Sequence, residues 1–458
     1  MQNRIPISQM QLGRRQIGVW AVSSMEQIIG AGLSTIVGII IPMMQLASAG
    51  HRMPGLLQGT LGAAGLLGIA VGSPVIGRIS DADGYLRWFR ICPALIFVAS
   101  LLAVIFPHKA VLIPALFLIG FGVGGGYTLD SAYISETMPS KWKLMMVGAA
   151  KATCSLGFMG FAAIAWWWLG SGLEADHWNY LFYITAAAGL ITFLLRLRWA
   201  ESPVWLADHG HREAALKAAE TLLGPNAGID SARPAAVSSK GGTPAKQSFF
   251  RGRNLLKVIF SGVTWACEGV GVYGVGVFLP LLIIALGFDR SHAEGMDKII
   301  NSVEMTTVIN FFIIPGFIIG LLLVRRLNHG KMMTWGFLIS ALGMAVLLWA
   351  YIDRWPVWIS IVAFMTFEIA LNAGPHLVTF IIPSQIYPVE IRGAGDGIAA
   401  MFGKVGAILG VFLMPVLLES GGIRLVLVVC IAVMILGALV SAVLTPVVLP
   451  PAKKQKKS

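Results

Sequence analysis

Residues 55–106 read GLLQGTLGAAGLLGIAVGSPVIGRISDADGYLRWFRICPALIFVASLLAVIF. Two apolar blocks, 54–76 and 90–106, flank a short stretch carrying Arg78, Asp81, Asp83 and Arg87. An apolar run of roughly 20 residues is what a helix needs to cross a hydrocarbon core about 30 Å thick. Such a run must be helical, because lipid offers backbone N–H and C=O groups no partners. The segment therefore predicts two membrane helices joined by a tight, charged connection.

Working outward, hydropathy predicts ten more spans. Those in the first half cover 17–43, 110–134, 144–169 and 179–195, and those in the second cover 255–288, 299–324, 332–350, 356–382, 393–418 and 425–448. The expected fold class is an all-α membrane protein of twelve transmembrane helices in two six-helix halves, 1–196 and 255–448. A cytoplasmic central loop, 197–254, joins the halves, and a basic cytoplasmic tail, 449–458, follows them. The loop opens with WAESPVWLADHGHREAALKAAETLLG, suited to a short surface helix, and continues Pro-, Gly- and Ser-rich as a flexible tether. Composition agrees: 56% of the 458 residues are hydrophobic and only 12% charged, against about 25% charged in soluble domains.

A net charge of +12 raises the question of nucleic acid, but the cations are spread between apolar blocks rather than clustered on one face, which argues against it. Sorted onto alternate sides of the membrane, most of them, from Arg4, Arg14 and Arg15 through Arg196 and Arg198 to the KKQKK tail, fall on one side. The other side receives only Arg52, Lys109, Arg290, Lys298, Arg354 and Arg424. That asymmetry places both termini and the central loop in the cytoplasm, in a multi-pass protein of the inner (plasma) membrane. Cys92, Cys154, Cys267 and Cys430 lie within or at the ends of spans, without CxxC or metal-ligand spacing, and are expected to be free thiols.

The two halves echo each other. Ser135-Glu136-x-x-Pro139-x-x-x-Lys143 follows the fourth span and Ser384-Gln385-x-x-Pro388-x-x-x-Arg392 follows the tenth, an internal repeat of the kind transporters carry. The connection from Gly77 to Arg87 resembles the GxxxDxxGRR loop signature of the major facilitator superfamily. Glu201-Ser202-Pro203-Val204-Trp205-Leu206 and the stretch Ile382-Pro383-Ser384-Gln385-Ile386-Tyr387-Pro388-Val389-Glu390-Ile391-Arg392-Gly393 resemble the PESPRWL and PSEIFPTEIRG segments of its sugar-porter branch. The resemblance implies a cytoplasmic latch that holds the outward-facing state, with Gly77, Asp81, Gly84, Arg87, Glu136 and Arg392 as its gating residues.

Within that branch, the segments around Gly374, Pro375 and His376 and around Gly403 and Lys404 look like the tenth and eleventh spans of phosphate:proton symporters. Gly124-Gly125-Gly126-Tyr127 and the pair Trp265 and Tyr273 fall where that family has GGDY and a Trp, Asp, Tyr stripe. The acids differ: Gly126 and Gly269 stand where the family has Asp, and His376 where it has Asn. Those departures argue against phosphate, and the lack of a QQxxGxN pattern in the seventh span argues against hexose.

An ionisable group inside a span costs a few kcal/mol at the bilayer centre, so each is a functional candidate. Here they are Glu26, Asp130, Lys151, Glu268, Glu368, His376 and Lys404. Glu368, Asn372 and His376 recur every four residues, and Trp265, Glu268 and Tyr273 share a broad face, so both sets are expected to line a central cavity. Glu26, Asp130, Glu268 and Glu368 are candidate proton-coupling groups, since a carboxyl in a desolvated cavity can load and release a proton. Tyr127, Trp265, Tyr273, Asn372, His376 and Lys404 are candidate solute contacts. Blander roles stand beside these: Lys151 snorkelling to the interface, Glu268 and Glu368 merely neutralising Lys404 or Lys151, and His376 as a packing histidine. With no nucleophile, metal cluster or phosphate loop, no enzyme activity and no cofactor or metal is expected.

The reading is a secondary active transporter working by alternating access as a monomer, its partners the bilayer, protons and a small-molecule solute. Proton-coupled symport of a small anion or carboxylate is favoured. A transporter or exporter of a neutral or cationic metabolite, such as a sugar, polyol or amine, is the alternative, with a transporter-like solute receptor as a further one.

Overall fold

The computed structural model describes residues 4–48, 53–229, 249, 251–287, 294–324, 326–387 and 392–449. Among them are eleven helices long and apolar enough to cross a membrane. We label these α1 (Arg14–Ala47), α2 (Gly55–Asp83), α3 (Tyr85–Ile105), α4 (Lys109–Thr137), α5 (Met145–Gly170), α6 (Ala175–Arg196), α7 (Gly252–Val275), α8 (Gly295–Leu323), α9 (His329–Ile352) and α10 (Val357–Thr379). The last, Gly395–Val448, is broken by Gly422 at φ 67°. At about 1.5 Å per residue its length exceeds a bilayer core more than twofold, so it counts as two spans, α11 (395–421) and α12 (423–448), and the expected twelve are present.

Boundaries correct the sequence reading in informative places. The charged connection after the second span is not a loop: α2 runs on through Asp83, and Gly84 alone, at φ 90°, turns the chain into α3. Arg196, assigned to the cytoplasmic surface, is the last residue of α6 and fully buried. The single expected surface helix is two, Pro203–Asp208 and Arg212–Leu223, the first capped by the Ser202 hydroxyl. Of the expected tether, 225–229 are described and are held by strand pairing of Ala227 and Gly228 rather than free, while 230–248 and all of the basic tail after Leu449 lie outside the described residues. All four cysteines are buried free thiols.

Two compact units divide the chain, and they cut across the sequence halves. The first comprises Met1–Leu33, Ala64–Phe161 and Asn179–Lys246. Its helices approach closely where glycine permits: a Cβ on Gly120 or Gly124 of α4 would run into the α2 backbone at Gly65 or Ile69, as the glycine run of α4 predicts for close helix packing. The N-terminal arm folds onto this unit, with Ile7 buried, Ile5 paired in parallel with Ala227, and Arg4 bridged to Glu220.

The second unit comprises Ser34–Ala63, Ala162–Trp178 and Gln247–Ser458. The distal part of α1 packs within it against the segment that follows α7, and the start of α2 against α11. A side chain at Gly38 would strike the Val277 carbonyl and one at Gly59 the Phe412 carbonyl, while the Gly55 N–H donates to Glu419 Oε2 at 2.5 Å. Two helices here leave regular α geometry: α7 has π-turns at Ile259–Val263 and Val270–Val275, and α10 has one at Asn372–His376 containing Pro375. Such wide turns commonly mark functional positions, because they re-aim side chains and free backbone groups.

Candidate functional site

In the first unit the buried ionisable groups converge. Arg196 at the end of α6 reaches inward, and its two terminal nitrogens clasp both oxygens of the Glu26 carboxylate on α1. Nη2 also lies 3.0 Å from Asp130 Oδ1 on α4 and donates to the Val22 carbonyl at 3.0 Å, while Nη1 donates to the Phe89 carbonyl at 3.1 Å. The guanidinium stacks over the Phe89 ring, 3.5 Å from its centre. Arg196 and Glu26 are 0% exposed and Asp130 1%. An arginine suits this work because its planar fork matches a carboxylate and stacks on an aromatic face.

The cluster also accounts for Gly126. A Cβ at that position would collide with the Glu26 side chain. The acid that the phosphate symporter pattern carries on the fourth span is thus absent because a carboxylate from α1 fills the same volume. Tyr127, next in the chain, packs against α1 at Gly30 and carries the Lys151 ammonium 4.9 Å from its ring centre. Of the two readings of Lys151, this favours an inward role over snorkelling.

From Arg196 the chain runs as a strap to the latch region. Arg90 of α3 donates to the carbonyls of Arg196, Leu197 and Trp199. Trp199 stacks with Phe89 and Tyr133, and the Tyr133 hydroxyl donates to Ala200 O at 2.6 Å. Glu201 then accepts the Tyr85 and Leu86 backbone N–H groups, at 3.0 and 2.8 Å, at the start of α3, where an anion is favoured by the helix dipole and unpaired N–H groups. Gly84 is required twice over: its φ is left-handed, and a Cβ there would sit 2.7 Å from Glu201 Oε2.

Glu136 accepts from the Ser202 and Tyr85 hydroxyls, and the Asp81 carbonyl accepts from Trp205 Nε1. The connection expected to act as a latch is therefore organised by Glu201, which the expected gating set omits. Arg87 lies 5.7 Å from the centre of the Trp88 ring, and the arginine that grips a neighbouring element is Arg90. Gly77 faces Thr128 of α4. Arg392 has its side chain outside the described residues.

The expected consequence is kinetic. Glu201→Ala uncaps α3 without touching the membrane-depth groups, so turnover of any transported solute should fall several-fold while its half-saturation concentration stays within a few-fold. Proteoliposome kinetics check this, and a collapse of affinity at unchanged turnover would contradict it.

The second unit holds the other candidates. His376 Nδ1 lies 3.0 Å from Glu268 Oε1, and Asn372 Nδ2 donates to Glu368 Oε2 at 3.1 Å. All four residues are buried. The expectation that these acids merely neutralise lysines gives way to these pairings within α7 and α10. Trp265 sets its ring edge against Phe380 and its indole against Gly403, where a Cβ would collide. Gly269 leaves no room for an acid either, since its Cβ would lie 2.6 Å from the Gly403 carbonyl of α11. The carboxylate has moved one residue back to Glu268, toward α10. Lys404, half-buried in α11, holds its ammonium 5.5 Å from the centre of the Tyr273 ring.

Comparison with known proteins matches residues 28–449 to a family model described as sugar (and other) transporter. The inner membrane metabolite transport protein YgcS of Escherichia coli is 26% identical over 90% of this chain and 87% of its own length. The inorganic phosphate transporter PHO84 of Saccharomyces cerevisiae is 24% identical over 85% of this chain and 75% of its own. Among solved structures, the partially occluded inward-open xylose transporter XylE from E. coli superposes with a TM-score of 0.75 at 16% identity, covering 97% of this chain and all (100%) of that one.

Proposed function

Because the chain belongs to the sugar (and other) transporter family, with the major facilitator fold, we propose that it is a proton-coupled symporter of a small anionic or carboxylate solute, with both termini cytoplasmic. Lys404 carries this reading. A lysine well inside α11, with its ammonium against the Tyr273 ring, places a cation at membrane depth, one residue after the glycine that Trp265 packs on. A desolvated cation is stabilised by a negative partner, and phosphate-transporting relatives such as PHO84 are in keeping with an anion. Proton coupling is supported by the first unit, where two buried acids share one buried arginine, so that the second acid has the weaker hold on the cation and is the one that can take up a proton.

A specific observation favours a second reading. The Glu268–His376 contact and the Glu368–Asn372 bond put two carboxylates into the other helix pair, and these would suit a neutral hydroxylated or cationic solute. Uptake into proteoliposomes separates the two, using orthophosphate, small carboxylates, pentoses, polyols and amines with an acidic exterior. Accumulation of an anion alone is expected. Accumulation of amines or polyols without any anion would replace the first reading by the second.

A further inference from the structure

At Arg196 Nη2 the acceptors outnumber the hydrogens, a mismatch that one protonated acid relieves. Nη2 bears two hydrogens but faces three acceptors: Glu26 Oε2, the Val22 carbonyl and Asp130 Oδ1. Both hydrogens of Nη1 are used on Glu26 Oε1 and the Phe89 carbonyl. Asp130 Oδ2 is buried and no donor among the described residues reaches it. Glu26 Oε2 and Asp130 Oδ1 meet at this one nitrogen, and two carboxylates so close repel unless one of them is protonated.

From this we infer that Glu26 and Asp130 form a single-proton dyad in which Glu26 is the fixed counter-ion of Arg196 and Asp130 is the group that loads and releases the proton. The inference rests on the proton-coupled reading above and names its group. Glu26 has both oxygens on the guanidinium, whereas Asp130 meets it with one, so the proton is lost from the carboxyl with an oxygen to spare. The charged and titratable groups around Asp130 are Glu26 from α1, the Cys92 thiol from α3, Lys151 from α5 and Arg196 from α6.

Deprotonation has a mechanical result. A second full carboxylate competes for Nη2, and the weakest acceptor there is the neutral Val22 carbonyl. Releasing it frees α1 one turn before Glu26 and relaxes the start of the strap that Arg90 holds at Arg196, Leu197 and Trp199. Proton release at Asp130 thereby reaches the Glu201 cap of α3 through the six residues from Arg196 to Glu201, held by hydrogen bonds at Arg196, Leu197, Trp199 and Ala200 and by the stacked Trp199 ring.

Infrared difference spectroscopy on the purified full-length protein in nanodiscs tests this without any solute. The wild type should show a protonated-carboxyl C=O band, shifted by deuterium, that is missing from Asp130→Asn. Asp130→Asn should fold with unchanged or higher melting temperature, because its amide N–H replaces the acid O–H. Glu26→Gln should melt lower, because Arg196 loses its two-oxygen partner. Retention of the full band in Asp130→Asn, or an unfolded Asp130→Asn beside a stable Glu26→Gln, would overturn the assignment. A band that vanishes as expected while Asp130→Asn still accumulates orthophosphate or another anion along a pH gradient would leave the dyad standing and defeat the coupled-transport reading instead.

Discussion

Arg196→Ala should abolish both folding yield and transport. It leaves Glu26 and Asp130 buried at 0% and 1% exposure without the cation that bonds them both, and removing one partner of a buried ion pair costs roughly 3–5 kcal/mol, a large share of what holds a domain folded. Arg196→Lys should be only a partial substitute, since one ammonium cannot clasp two Glu26 oxygens, stack on Phe89 and hold Val22 together. The informative variant is the triple one: Arg196→Met with Glu26→Gln and Asp130→Asn should recover monodisperse protein, because removing all the charges removes the penalty, yet fail to accumulate solute. Size-exclusion profiles and proteoliposome uptake check both halves of the expectation. Full activity in Arg196→Ala would mean that the triad does no work.

The second large effect is expected at Lys404. If the solute is an anion, Lys404→Ala should remove most binding, though by less than the roughly 3–5 kcal/mol of a fully buried pair because Lys404 is half-buried, and Lys404→Arg should keep a measurable fraction. Should the alanine variant instead be poorly folded, and should Glu268→Gln or Glu368→Gln in the same chain restore folding and transport, Lys404 is a counter-ion and the anion reading falls. Isothermal titration with the anion found by uptake, alongside thermal melts, separates the two.

Much of this was legible in the sequence because lipid is a demanding solvent. Twelve spans follow from apolar length alone, and Glu26 and Asp130 stood out as charges inside apolar blocks. Arg196 did not, because it ends its block, and an arginine there looks the same to hydropathy whether it faces water or turns back into the bundle. Departures from the phosphate symporter pattern at Gly126 and Gly269 were visible, but not their causes: Glu26 in one case and the Gly403 carbonyl in the other come from distant parts of the chain. The π-turns of α7 and α10 carry no signature beyond Pro375, since any residue tolerates the geometry. Glu201 belonged to a recognised segment, yet its role as the cap of α3 depends on a contact across more than a hundred residues.

The central claim is that solute and proton cross together. It is met most directly by a pH electrode in a lightly buffered suspension of proteoliposomes, with no imposed gradient, on adding the anion that the uptake panel identifies. External alkalinisation that starts with solute uptake, vanishes with a protonophore and is absent from Asp130→Asn liposomes is the predicted result. Uptake of the anion with no movement of external pH would contradict it.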